Sequence, residues 1–227
     1  MGIAENLASV RERIRASCRR AGRDPDTVRL VAVSKGQPIE AVLAAFAAGQ
    51  SVVGENYAQE LHSKADALSE AEWHFIGALQ TNKVKLVVGH AALVHTCDRL
   101  ALAKEIAKRA FSKNITQRIL LEVNVGREPQ KGGVLPEDLE ALYAAVRELD
   151  ALRCEGLMCL PPADQDPRPH FRALRELRDR VGLRELSMGM TADFEVAIEE
   201  GATIVRVGTA IFGERPGRAP QNPARDA

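Results

Sequence analysis

Eight short apolar runs recur along this chain, and most are followed by a stretch whose apolar residues return at helical spacing. A helix between two strands carries the chain back to its starting edge, so strands joined this way lie parallel. Apolar runs without polar alternation suit strands buried on both faces, as parallel strands are. The pattern predicts strands at 30–35, 51–55, 72–77, 92–97, 118–124, 152–158, 185–189 and 203–209. Helices are predicted at 56–68 and, more briefly, at 81–88. Others open at Pro38 (with Ile39, Val42, Leu43 and Phe46 inward), after an Asp98 N-cap and at Pro136. One is marked by Phe171, Leu174, Leu177 and Val181, and the last runs from a Thr191 cap to Glu200. Eight such units predict a single-domain (β/α)8 TIM-type barrel. The alternative is an open doubly wound sheet, but no G-x-G-x-x-G opens any of the helices. A stripe of Ile3, Leu7, Val10, Ile14 and Cys18 predicts an extra helix at 3–20, before the first strand. The barrel domain is expected over 1–213, and 214–227, with three prolines and no periodicity, reads as a disordered tail.

Apolar residues make up 45% of the 227 and aromatics 4%, so the core must be aliphatic and rich in alanine. Lys+Arg and Asp+Glu are both 31, which gives no basic or acidic surface for nucleic acid or membrane. The four cysteines (Cys18, Cys97, Cys154, Cys159) show no CxxC and no zinc-finger spacing, and read as small buried residues in a reducing compartment. Charges at Glu5, Arg11, Glu12 and Arg13 exclude a signal peptide there, and no apolar run is long enough to span a bilayer. A soluble cytoplasmic protein is expected.

In barrels of this kind the chemistry gathers at the C-terminal ends of the strands. The first strand, L-V-A-V-S-K, ends in Lys35. Partial burial disfavours an ammonium, so such an amine can become a nucleophile and form a Schiff base. The other reading is a solvated lysine at a strand end. The remaining strands deliver Asn56, His74 with Gln80 and Asn82, Asn124, Met158, Ser187-Met188-Gly189, and Arg206 with Gly208 and Thr209. No carboxylate pair for glycoside chemistry stands among them, nor a His and acidic cluster at metal-ligand spacing. Phosphate sites in these barrels follow strands seven and eight. Ser187 to Thr191 and Val207 to Thr209 both suit one, unless Gly189 and Gly208 merely serve tight turns. Arg206 shares parity with Ile204 and Gly208, so it faces the mouth if Gly208 does, to meet either a ligand or a structural ion pair. His74 and Met158 read as packing and Trp73 as core, while His62, His90, His95 and His170 show no mutual spacing for a metal.

An amine for a Schiff base, a phosphate cup opposite and an arginine between them describe a pyridoxal 5′-phosphate site. The stretches L-V-A-V-S-K, G-E-N-Y-A-Q-E, W-H-F-I-G-A-L-Q-T-N-K, G-L-M-C-L-P-P and L-S-M-G-M-T-A-D-F-E-V-A-I-E-E-G-A-T-I-V-R-V-G-T-A-I-F-G resemble, in wording and order, the pyridoxal phosphate homeostasis protein family. The resemblance covers about 5–213 and implies a fold similar to the barrel domain of alanine racemase. It implies Lys35 as the Schiff-base lysine, Arg206 facing the pyridine nitrogen, Ser187, Gly208 and Thr209 at the phosphate, and Asn56 beside the cofactor. Gly-Gln-Pro follows Lys35 where many relatives have Thr-Lys-Pro, a departure in the loop after the lysine. Lys131 resembles a loop lysine proposed to accept a second cofactor, and equally reads as a mobile surface lysine.

Three functions are open on this basis. The first is a carrier that holds and releases pyridoxal 5′-phosphate without substantial catalysis, with apo-enzymes as recipients. The second is a pyridoxal phosphate-dependent amino-acid racemase, and the third a Schiff-base aldolase acting on a sugar phosphate. The strand-one lysine and the resemblance disfavour the aldolase. Racemisation needs an acid or base on each face of the substrate. In alanine racemases the second base is a tyrosine from a C-terminal β-domain that this chain is expected to lack, leaving Tyr57 as the candidate. The expectation is therefore a non-catalytic carrier, monomeric, with no metal site.

Overall fold

The computed structural model describes residues 2–214. Eight parallel strands close into a barrel in chain order, β1 (Arg29–Val33), β2 (Val52–Glu55), β3 (Glu72–Phe75), β4 (Leu93–Cys97), β5 (Gln117–Glu122), β6 (Leu152–Met158), β7 (Glu185–Ser187) and β8 (Ile204–Val207). Around them lie α1 (Ile3–Arg20), α2 (Ile39–Ala47), α3 (Ala58–Ala67), α4 (Leu100–Ser112), α5 (Leu139–Val146), α6 (Pro167–Val181), α7 (Phe194–Glu199) and α8 (Thr209–Phe212). The expected eight-unit barrel and the extra first helix are both present. The stretch expected as a short helix at 81–88 is a 3-10 helix, Thr81–Leu86. Apart from Glu214, the expected tail lies outside the described residues.

Strand alternation divides the apolar residues into two bodies. Leu30 and Ala32 of β1, Trp73 and Phe75 of β3 and Val205 and Val207 of β8 point outward, into the layer shared with the helices. Val31, Leu93, Leu120, Met158 and Ile204 point inward and plug the lumen. By the same parity the lumen also receives His74, His95, Glu122, Ser187 and Arg206. At the N-terminal end Glu72 lies 3.6 Å from both Arg29 and Arg118, and Arg118 pairs with Glu155 at 2.9 Å. The only tryptophan, Trp73, is buried and donates its indole N–H to Leu68 O at 2.9 Å, as a core residue should.

Four local expectations are corrected. β1 ends at Val33, and Ser34 and Lys35 belong to the turn beyond it. Arg99, not Asp98, stands at the N-cap of α4, and the Asp98 carboxylate instead accepts from the Arg99 guanidinium at 2.5 Å. Asp193, not Thr191, precedes α7, and its side chain accepts from Met190 N–H at 2.6 Å. Leu43 is 43% exposed, because Val42 and Ala45 already fill the contact face of α2.

Candidate functional site

Residues 34–37 form a turn closed by Gln37 N–H donating to Ser34 O at 2.9 Å. Gly36 takes φ 70° at the third position, where a left-handed backbone favours glycine. Lys35 occupies the second position, half-buried at the C-terminal rim. The turn is clamped from α3. Lys64 Nζ donates to Ser34 O at 3.0 Å, to Glu55 Oε1 at 2.6 Å and to Glu60 Oε2 at 2.9 Å. Glu60 Oε2 also accepts from Gly36 N–H at 2.9 Å, and Ser34 Oγ donates to Glu55 Oε1 at 2.6 Å. Burial pushes the Glu55 carboxyl above its usual range, against the pull of Lys64 and Ser34. Burial acts the same way on Glu60, but its bonds from Gly36 and Lys64 outweigh it and hold Glu60 low. In sequence, Glu60 and Lys64 are an ordinary i,i+4 surface pair. The fold buries Lys64 to 8% exposure, so this clamp escaped sequence reasoning.

Asn56 follows β2 directly, and its Oδ1 is buried without a hydrogen-bond partner among the described residues. Its backbone rests on Gly77, where a Cβ would come within 2.0 Å of Asn56 O, so no larger residue fits there. Gly208 lies against the end of β1, where a Cβ would stand 3.1 Å from Val33 O. It is half-buried, and Thr209 beside it is exposed. The lysine, amide and glycine thus follow the C-terminal ends of three neighbouring strands, β1, β2 and β8.

Ser187 and Arg206 are placed deeper. Arg206 is 4% exposed and donates from Nη1 to Ser187 Oγ at 2.5 Å and from Nη2 to Cys159 O at 2.9 Å. Its partners among the described residues are a hydroxyl and a carbonyl, so the structural ion pair weighed for it is not formed there. Burial lowers its pKa, though the guanidinium remains a cation. Ser187 is fully buried, with its Oγ also 2.8 Å from His95 Nδ1. Glu122 closes β5 on the lumen side of the same end, and its carboxyl is pushed up to about 7, by burial first and then by Asp98, with Arg206 opposing. A loop after β5 covers this side. Asn124 folds it by donating to Glu128 O at 2.9 Å, and Lys131 is held by Glu128 at 2.5 Å and by Pro161 O at 3.0 Å. Neither Glu122 nor His95 carries a local sequence signal beyond lumen parity.

Two groupings lie apart from the mouth. His62 and His90, for which the sequence suggested no common site, meet with their ring nitrogens 3.0 Å apart, and Asp66 lies 3.8 Å from His62 and 3.5 Å from His90. The set has the make-up of a metal ligand group, half-exposed, with His62 and Asp66 on α3 and His90 on the segment before β4. A cleft of about 420 Å³ opens at the other end of the barrel, lined by Arg118, Glu155, Arg184 and Glu185 among others. No helix among the described residues is long and apolar enough to cross a membrane.

Residues 6–216 match the family model described as the N-terminal domain of alanine racemase. A protein of Aquifex aeolicus named pyridoxal phosphate homeostasis protein is 51% identical over 226 residues, covering 95% of this chain and 99% of its own length. A protein of the same name from Pseudomonas aeruginosa is 45% identical, covering 96% and 98%. Among solved structures, PipY of Synechococcus elongatus PCC7942, described with PLP bound, superposes with a TM-score of 0.82 at 34% identity, covering 93% of this chain and 100% of PipY.

Proposed function

Since the chain belongs to the pyridoxal phosphate homeostasis protein family, we propose that it holds pyridoxal 5′-phosphate as a Schiff base on Lys35 and releases it, without substantial turnover of amino acids. The observation that carries this reading is the company kept at the mouth. A lysine on a clamped turn and an amide oxygen with no partner among the described residues stand at this end of the barrel, above a buried guanidinium that touches no carboxylate among those residues. These residues fit the cofactor's aldehyde, ring and ring nitrogen. When bound, the cofactor supplies an electron-withdrawing ring beside a reactive carbonyl.

The chain's own residues set what that ring can do. Arg206 has only donors, so it gives a hydrogen bond to the ring nitrogen and keeps that nitrogen unprotonated. Such a ring withdraws electrons less than a pyridinium held by a carboxylate. Gly208 and Thr209, with neighbouring backbone donors, take the phosphate. Ser187, occupied by His95 and Arg206, holds the arginine instead of the phosphate. Tyr57, the tyrosine nearest Asn56 in sequence, is 54% exposed, which suits a solvated side chain better than a positioned base. All four cysteines are free, which fits a cytoplasmic carrier, and we read it as a monomer that passes cofactor to apo-enzymes.

Borohydride reduction of the loaded protein followed by peptide mapping tests the site. The adduct is expected on Lys35 and absent in Lys35→Ala, and an adduct on Lys131 alone would overturn the assignment. Incubation of the loaded protein with alanine or serine in deuterated water tests the lack of turnover. Rapid Cα deuterium exchange with inversion, lost in Lys35→Ala, would restore the racemase.

A further inference from the structure

A continuous hydrogen-bond chain crosses the barrel lumen from Arg206 to Glu72. Arg206 Nη1 lies 2.5 Å from Ser187 Oγ, which lies 2.8 Å from His95 Nδ1. His95 Nε2 is 2.9 Å from His74 Nδ1, and His74 Nε2 is 3.0 Å from Glu72 Oε1. With both rings fully buried and therefore neutral, the end groups set every proton between them. A guanidinium only donates and a carboxylate only accepts. Ser187 accepts from Arg206, so its own proton goes to His95 Nδ1. His95 therefore carries its proton on Nε2 and gives it to His74 Nδ1, and His74 gives its Nε2 proton to Glu72. The alternative, a charged His74 with His95 donating from Nδ1 to Ser187, buries an imidazolium completely and leaves the Ser187 proton without an acceptor among the described residues, so the neutral pair is favoured.

The surroundings agree with that assignment. His74 and His95 are fully buried, and burial holds both below the ordinary histidine range. Glu72, bonded by His74 and flanked by Arg29 and Arg118, is drawn down to about 2 and stays ionised. The guanidinium touches no carboxylate among the described residues, and a buried charge without compensation is costly. A polarised chain ending on Glu72 links it to the opposite charge at the other end of the lumen.

We propose that His95 and His74 are positioning residues for Arg206, a one-way relay that fixes the guanidinium in place with its remaining N–H groups available to the bound cofactor. The proposal rests on the reading of Arg206 as a cofactor contact. Its first part is tested without cofactor, on the apo-protein labelled with ¹⁵N-histidine. Imidazole ¹H–¹⁵N spectra are expected to show His74 and His95 as neutral Nε2–H tautomers throughout pH 5.5–8, and an Nδ1–H tautomer or a titration within that range at either residue would overturn it.

The second part compares His95→Leu with His95→Gln. A glutamine amide can accept from Ser187 and donate to His74, and leucine can do neither. Cofactor affinity is expected to fall about tenfold or more in His95→Leu, with an altered absorption spectrum, and to stay within about threefold of wild type in His95→Gln. Should His95→Leu not fold, Ser187→Ala removes the first link and is expected to give the same loss. Wild-type affinity and spectrum in a folded His95→Leu or Ser187→Ala protein would overturn the relay. A wild-type protein that binds no cofactor would overturn the underlying reading instead, and the wild-type control shows that separately.

Discussion

Glu122 is a carboxyl whose proton the fold retains up to about pH 7, because ionising it would leave a charge buried beside Asp98. In the unfolded chain the same group ionises near its ordinary value of 4.5. Between those two values the folded state binds more protons, so this group lowers stability as pH rises through the window. The whole effect is at most about 3 kcal/mol. Glu122→Gln removes the titration and keeps the shape. Urea unfolding at a series of pH values should therefore show a flatter profile for the variant between about 4.5 and 7, with the variant more stable than wild type at pH 8. Parallel profiles would mean that Glu122 ionises normally in the fold.

Among the elements, α3 has the closest hold on the chemistry, through the Lys64 clamp on the turn that carries Lys35. Lys64→Met keeps the volume and removes the cation, leaving Glu55 buried with only the Ser34 hydroxyl bonded to it. Breaking a buried pair from one side costs about 3–5 kcal/mol. That loss should appear in urea unfolding, and adding Glu55→Gln should restore part of it. The turn also loses the bond to Ser34 O, so cofactor affinity should fall in the single and the double variant alike. Affinity that recovers in step with stability in the double variant would show that the clamp supports the fold without orienting Lys35.

For the molecule as a whole, closure between β8 and β1 is backed by α1. Its face of Leu7, Val10, Ile14 and Cys18 is buried, and polar contacts tie its ends down. Asn6 donates to Ile211 O at 2.9 Å, Arg13 pairs with Glu195 at 3.0 Å, Arg20 pairs with Glu199 at 3.0 Å, and Arg23 donates to Ile198 O at 2.6 Å. The exposed ion pairs contribute little each, so the apolar face dominates. Leu7→Ala should cost about 2–5 kcal/mol through lost burial and the cavity left behind. Leu43→Ala, at an exposed position of α2, should cost under about 1 kcal/mol in the same unfolding experiment. Equal losses at the two positions would mean that α1 is not part of the cooperative unit.

The order and type of the elements were legible in the sequence because both signals are local. An apolar run of a few residues, or a stripe at helical spacing, needs no distant partner to be read. Parity is local too, which is why Arg206 could be placed on the lumen side with Ile204, and Lys35 at the rim, before any contact was known. Cap positions and strand ends were read less well, since Asp98 and Thr191 have good capping chemistry but the chain enters α4 and α7 one or two residues later. Distances across the barrel depend on closure and register. His74 pairs in register with Leu93, which sets His95 two residues further along β4 within reach of the His74 ring, while Ser187 approaches from the far side of the lumen. Lys64 became an interior clamp, and Glu122 a carboxyl titrating near neutrality, only because neighbouring elements removed water from them. The sequence by itself determined the barrel and the strand from which each polar residue comes. Only the tertiary structure decided which of them are charged, neutral or held, because burial and partners from distant strands set those properties.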